Sequence, residues 1–245
     1  MGEDRDRMTQ PLGWDFFDKS YCITLESRPD RMLAAQQQFA AVGLDERVEF
    51  LIVAKDSENP ERGIFHSHLR CLSQGLAAGA RHILVFEDDV FFRGFSPERL
   101  SAACHFLQQT GKWDAFFLGC LTTGSRPTDR ANVVQVKYRC LAHAYALNRA
   151  CAERIVREQW QGIPFDGLLH SCGPHFFALQ PMCAFQGLAS SDNETVLIDK
   201  LRKLCGGLPF IQRCNELFQN NKGLVIALHL LVAALAIVSF TLARQ

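Results

Sequence analysis

The stretch His82-Ile83-Leu84-Val85-Phe86-Glu87-Asp88-Asp89-Val90-Phe91-Phe92 decides how the chain folds. A short apolar run passes straight into three carboxylates, and three more apolar residues follow. An unbroken apolar run of this length predicts a strand buried on both faces, as in a parallel sheet covered by helices. Three carboxylates at the end of such a strand repel one another and lose hydration, so something must compensate them. A divalent cation does so with hard oxygen ligands, at the carboxyl edge where open α/β sheets place their ligands. An acidic turn exposed to water is the plain alternative. Val90-Phe91-Phe92 argues against it by returning the chain at once to the interior.

Working outward, the flanking segments alternate in type. Tyr21 to Leu25 reads as a first strand, followed by the polar turn Glu26-Ser27-Arg28-Pro29-Asp30-Arg31. Pro29 and Asp30 suit a helix start, Met32, Ala35, Phe39 and Val42 recur at helical spacing, and Gly43 suits a C-cap. Val48 to Val53 is the second strand, and β-α-β order favours a parallel sheet with right-handed crossovers. Gly63 to Ala80 predicts a second helix, with Ser67 and His68 near an N-terminal end able to face a phosphate. Surface histidines are the equal alternative there.

Past the acidic stretch, Ser96-Pro97 predicts a cap and a first-turn proline for a helix ending at Gly111. Trp113 to Gly119 and Ala142 to Leu147 read as strands, and Arg149 to Trp160 as a helix. Thr122 to Arg130 reads as a long loop over a site, and Pro164 to Gly167 as a turn presenting Asp166. Phe176 to Leu179 and the stretch up to Gln186 suggest a late extended pair.

Composition narrows the function classes. The 245 residues are 48% apolar, enough for one α/β domain with an appendage. Lys+Arg and Asp+Glu balance at 26 each, so bulk charge gives no argument for a nucleic-acid partner. Ten cysteines occur without a C-x-x-C pair or ligand-like spacing to histidine, a pattern of buried free thiols in a reducing compartment. Met1 to Gln10 is polar and charged, unlike a signal peptide, and the sequon Asn193-Glu194-Thr195 then carries no meaning.

The C-terminus changes character. Gly223 to Ala243 holds one strongly polar side chain, His229, and as a helix would be roughly 30 Å long, the thickness of a bilayer's hydrocarbon core. Arg202, Lys203, Arg213 and Lys222 precede it and only Arg244 follows, which predicts a single-pass tail anchor with the large domain in the cytoplasm. The expected organisation is a leader over 1–18, a catalytic domain over 19–206, a linker over 207–222 and the membrane helix over 223–243.

In order along the chain, these pieces resemble the family 25 glycosyltransferases, which include lipopolysaccharide and collagen galactosyltransferases. The pieces are Ile23-Thr24-Leu25 with Arg28 to Arg31, Gly63 with Ser67-His68, and Leu84 to Val90. They continue with Trp113-Asp114 and Leu118-Gly119, His143 to Tyr145, Pro164 with Asp166, and Gln186 with Ser191-Asp192. Where that family usually has Asn in its first strand motif, this chain has Thr24. The resemblance implies a GT-A-like, mostly parallel sheet that binds a UDP-sugar, most often UDP-galactose, through manganese. It implies Asp88 and Asp89 as metal ligands. Thr24, Arg28, Arg31, Ser67, His68 and Glu87 become the nucleotide-side contacts. Inversion at the anomeric carbon requires a general base for the acceptor hydroxyl. Asp166, Asp114 and Asp192 are its candidates, with Asp166 preferred. The acceptor would be a glycan, glycolipid or protein. A metal-dependent hydrolase and an inactive, tail-anchored binding module on the same fold are the competing expectations.

Overall fold

The structure, a computed structural model, describes residues 13–187 and 206–242. A short 3-10 turn, Gly13–Phe16, leads into β1 (Lys19–Leu25), α1 (Pro29–Val42), β2 (Val48–Val53), α2 (Pro60–Ala77) and β3 (His82–Glu87). Then come β4 (Val90–Phe92), α3 (Pro97–Thr110), β5 (Ala115–Phe117), β6 (Leu121–Pro127), β7 (Val133–Cys140) and β8 (Ala144–Asn148). The chain continues through α4 (Arg149–Ile155), α5 (Phe165–Ser171), β9 (Phe176–Leu179), β10 (Ala184–Gln186), α6 (Gly207–Asn220) and α7 (Lys222–Leu242).

Eight strands form one sheet in the order β2-β1-β3-β8-β5-β9-β7-β6, and β10 pairs with β4 in a separate ribbon. β1 pairs in parallel with β2 and β3, and β5 with β9. The remaining pairings, β3–β8, β5–β8, β7–β9 and β6–β7, are antiparallel. Only β8 and β7 therefore run against the common direction, so the sheet is mostly parallel with two reversed strands.

Burial explains the opening stretch. Leu84 and Phe86 of β3 join the core cluster beneath α1 and α3, with Phe39, Leu100 and Leu107. Ile83 and Val85 join the opposite cluster beneath α2, α4 and α5, with Phe65, Leu72 and Leu169. Both faces are covered, so no polar alternation survives along the strand. The helix punctuation follows the sequence closely. Gly43 and Gly111 take left-handed φ of 74° and 59° as C-caps, and Ser96 accepts the Arg99 N–H.

Four local expectations need correction. Thr122–Arg130 is not a loop: β6 occupies most of it, pairing with β7 as the sheet's edge strand. The extended segments near the end of the domain do not pair with each other, since β9 enters the main sheet while β10 joins β4. The helix after β8 stops at Ile155 rather than Trp160. Residues 207–220, expected as a linker, form α6, whose Gln212 and Glu216 are buried against the domain.

Gly119 marks a close approach that positions the ribbon. A Cβ there would lie 1.9 Å from the Ala184 carbonyl oxygen, so only glycine lets β10 cross at this point. The last helix, α7, exposes Leu224, Ile226, Leu228, Leu230, Leu231, Val232 and Leu235. Among the described residues no single helix is long and apolar enough to cross a membrane; Gly207–Asn220 with Lys222–Leu235, bent by 79°, passes that test as a pair.

Candidate active site

β1 and β3 end side by side, with Ile23 level with Glu87. The Asp88 N–H donates to the Ile23 carbonyl at 3.1 Å, which holds the acidic turn over the end of β1. Asp88 Oδ2 accepts the Thr24 hydroxyl at 2.7 Å. Arg31, in the first turn of α1, reaches over the same edge: its Nη2 lies 2.7 Å from Asp88 Oδ1 and 3.1 Å from Asp89 Oδ2. Gln186 of β10 donates from Nε2 to Asp89 Oδ2 at 3.0 Å, and Gly187 N–H donates to the Asp89 carbonyl at 2.7 Å. The ribbon that Gly119 admits is thus what delivers Gln186.

Electrostatics follow from crowding. Burial pushes the Asp88 carboxyl above its ordinary value against the pull of Arg31 and Thr24. Asp89 is pushed up to about 7 by burial and by the charges of Glu87 and Asp88, opposed by Arg31 and Gln186. Among the described residues Asp89 Oδ1 is buried without a hydrogen-bond partner. One guanidinium does not neutralise three carboxylates, and the orphaned oxygen is where the deficit shows.

Glu87 belongs to a second group on the same edge. Its Oε1 lies 3.2 Å from His68 Nε2, whose Nδ1 lies 3.1 Å from the Tyr145 hydroxyl. The His68 ring stacks on Phe165 at 4.1 Å and 5°. Burial raises the Glu87 carboxyl, but the hydrogen bond from His68 and the charges of His68, His143 and Arg31 bring it below its ordinary value. The Glu87 N–H donates to the His143 carbonyl at 3.0 Å. The His143 ring is fully buried, and burial lowers its pKa against the pull of Glu87 and the neighbouring backbone.

Asp166 lies in the first turn of α5, directly after Phe165. Its Oδ1 accepts the Tyr138 hydroxyl and its Oδ2 accepts the Leu141 N–H at 3.2 Å. Burial raises its pKa against those two bonds, and it feels the charges of Glu87 and His68. The β7–β8 connection that carries Leu141 enters β8 at Ala144, level with Phe86, which places Asp166 at the carboxylate edge.

Two other expectations change. Asp114 does not reach this edge. Its carbonyl accepts the Asn148 N–H, level with His82, about 16 Å along the strand from Glu87 at roughly 3.3 Å per residue. There its Oδ1 pairs with Arg154 Nη2 at 2.8 Å and its Oδ2 accepts the His175 N–H at 3.3 Å, a structural tie. α2 begins at Pro60, capped by Asn59, so Ser67 and His68 lie about two turns inside it and cannot meet a phosphate at its N-terminus. Ser67 donates to the Gly63 carbonyl at 2.7 Å within its own helix. Arg28, at the N-cap of α1, donates from Nε and Nη2 to Asp30 at 3.0 and 2.9 Å. Asp192 lies outside the described residues, as do Ser191 and the sequon.

Among the described residues no group of three or more His, Cys, Asp or Glu side chains could hold a metal ion. Asp88 and Asp89 nonetheless fit a divalent cation that shares its shell with phosphate oxygens. Such ions take one or two carboxylates plus substrate, and Asp89 Oδ1 is buried and has no partner among the described residues. A cavity of about 360 Å³ lies elsewhere, lined by Phe65, Arg154, Glu158, Ile163, Leu168 and Cys172 among others; none of the edge carboxylates lines it. Sequence reasoning passed over Tyr138, which holds Asp166, and assigned no role to Gln186 or the buried His143. The single signal for Gln186 and His143 was their place in the family-like pieces, and Tyr138 had none.

No protein-family model and no curated protein matches the chain. Solved structures do resemble it. A197 from STIV matches at 13% identity and a TM-score of 0.46, covering 69% of this chain and 85% of that one. A glycosyltransferase involved in glycosylation of the major capsid of PBCV-1 matches at 6% identity and 0.43, covering 76% and 99%. Mannose-1-phosphate geranyltransferase from Thermus thermophilus matches at 12% and 0.41, covering 66% and 73%.

Proposed function

We propose that this chain is a glycosyltransferase that moves a hexose from a UDP-sugar to a carbohydrate, lipid-linked or protein acceptor. The observation that carries the reading is the gathering of Asp88, Asp89, Glu87 and Arg31 at the carboxyl edge of β1 and β3. That edge is where open α/β sheets bind nucleotides, and those of the family-25-like pieces that hold Thr24, Arg31, His68, Glu87 to Asp89 and Gln186 fall around it.

Transfer leaves a diphosphate whose negative charge grows as the glycosidic bond breaks, so the edge must supply positive charge. Arg31 supplies one such charge beside the carboxylates. Asp88 and Asp89 would hold a manganese ion that screens the diphosphate when donor is bound. Gln186 and Thr24 fix the two carboxylates in place. Asp166 is the candidate base for the acceptor hydroxyl, because it shares the edge with Glu87 and its raised pKa brings it towards neutral pH. Inversion at the sugar follows from a single displacement with that base opposite the leaving group. A panel of UDP-sugars with manganese, read as release of free UDP in the presence and absence of acceptors, tests the reading. Release of free sugar without any acceptor would favour a hydrolase instead.

The ion pair of Arg31 with both aspartates also favours a second reading, an inactive module in which Arg31 has taken over the cation's place. UDP binding that is blind to manganese, with no turnover on any donor, would select it.

The anchor belongs to the same proposal. The described residues of α7 do not by themselves make a span. The proposal rests on the apolar sequence Gly223 to Ala243, about 31 Å as a helix, and on the exposure of Leu224, Ile226, Leu228, Leu230, Leu231, Val232 and Leu235. Flotation of the full chain with phospholipid vesicles is the test, and a chain that stays at the bottom of the gradient overturns the anchor.

A further inference from the structure

α6 is built inside out. Its polar side chains face the domain: Gln212 Nε2 donates to the Ala184 carbonyl at 2.8 Å, and Glu216 Oε1 accepts the Met182 N–H at 2.7 Å. Asn215 takes the Thr122 N–H at 2.9 Å and donates to the Thr122 carbonyl at 3.0 Å, so its amide caps the edge strand β6 as a neighbouring strand would. Asn220 accepts the Ser125 hydroxyl at 2.6 Å. The opposite face carries Phe210, Cys214, Leu217 and Phe218, all exposed. Those positions fall within about 100° of one another around the helix, an apolar stripe directed away from the core.

We propose that this outer stripe is a bilayer-docking surface: α6 lies in the interface plane of the membrane that α7 enters. The proposal rests on the reading of α7 as an anchor and adds what the anchor leaves open, the face that the domain turns to the lipid. Three observations select lipid as the occupant. α7 leaves α6 at once, after Asn221, with an axis bent by 79°, the angle that lets one helix lie along a surface while the next crosses it. Lys222 is exposed at the bend, where a long cationic side chain reaches the headgroups. The exposed apolar residues of α6 are followed in the chain, after Asn221 and Lys222, by the exposed apolar residues of α7, and a single apolar environment would cover both. Its inner face is already committed to β6 and to the segment leading into β10. Docking therefore sets the strand bearing Gln186 about one helix diameter, roughly 10 Å, from the lipid surface.

Cys214 provides the probe, since it lies on the stripe and is exposed, while most other described cysteines are buried and Cys140 and Cys172 are half-buried. The full chain is labelled with a thiol-reactive fluorophore and floated with phosphatidylcholine vesicles containing phosphatidylglycerol. Cys214→Ser, labelled in parallel, supplies the background from the remaining thiols. Docking predicts that lipids bearing a nitroxide near the headgroup quench the Cys214 signal, while aqueous iodide does not. Leu217→Glu, which sets a charge on the stripe, should reverse both responses while the chain still floats through α7. A floating chain whose probe is quenched by iodide and not by nitroxide lipid overturns docking and leaves the anchor standing. Shielding from both quenchers, with self-quenching that grows with protein density, assigns the face to a second copy and also overturns docking. A chain that does not float overturns anchor and docking together.

Discussion

Arg31 holds Asp88 across a 2.7 Å ion pair that ties the first turn of α1 to the turn after β3. Both partners are largely buried, with 15% and 7% of their side chains exposed, so solvent does little to weaken the pair or to replace it. Arg31→Met should accordingly cost about 3 to 5 kcal/mol in urea unfolding at pH 7, because it strands two buried carboxylates. The loss should shrink on acidification. Asp88 and Asp89 already have raised pKa values, and a group whose folded pKa is raised gains stability as pH falls through it. An Arg31→Met deficit that is equal at pH 7 and pH 5 would refute the charge argument.

Asp166 leads to a prediction in which stability and activity move oppositely with pH. Its folded pKa is raised by burial, so its contribution to stability is fully present below the unfolded value near 3.8 and is lost as pH rises through the folded value. A base, in contrast, works only once deprotonated, so turnover should rise with pH through that same window. Asp166→Asn should abolish transfer, leave UDP affinity close to the parent's, and remove this limb from the stability profile. Parallel loss of UDP binding and turnover would mark Asp166 as a structural or donor-side group held by Tyr138.

Asp114 tests the opposite edge of the sheet. Asp114→Ala removes the acceptor for the His175 N–H and the partner of Arg154, and Gly173 packs against its carboxylate. The expected cost is about 1 to 2 kcal/mol of stability, since a backbone donor loses its partner. UDP release per folded molecule should not change. A fall in turnover with unchanged stability would return Asp114 to the site.

The parts of this architecture that were legible in the sequence are those written in local chemistry. Ile83 to Phe86 advertised a strand covered on both faces, and Gly43, Ser96 and Gly111 marked helix ends through conformations or caps that few residues supply. Partners brought together across the sheet were not legible. Tyr138 meets Asp166 only because β7 runs back beside β9, and Gln186 reaches Asp89 only because Gly119 admits β10. Asp114 stood beside the preferred Asp166 as a candidate base in a linear reading, yet strand direction puts the two at different edges. β6 read as a loop because its Gly, Ser and Pro are turn formers that outweighed its two threonines, and α6 is what covers it as an edge.

The metal assignment stands or falls on Asp89. Its carboxyl is pushed up to about 7, Glu87 and Asp88 crowd it, and its Oδ1 is buried without a partner among the described residues. Asp89→Asn keeps a side-chain oxygen that can accept from Arg31 or Gln186 and removes one charge from the cluster. Without metal or nucleotide, the variant should melt at or above the parent, because clustered charge has been relieved. With manganese and UDP together, the parent should gain melting temperature and the variant should gain little, since ligand binding stabilises in proportion to affinity. UDP-sugar turnover should fall by several orders of magnitude in the same variant. A purely structural carboxylate predicts the reverse: a variant that melts well below the parent without metal, yet gains as much as the parent on adding manganese and UDP. Two pairs of melting curves decide between these outcomes, and the second pattern would remove Asp89 from the metal site.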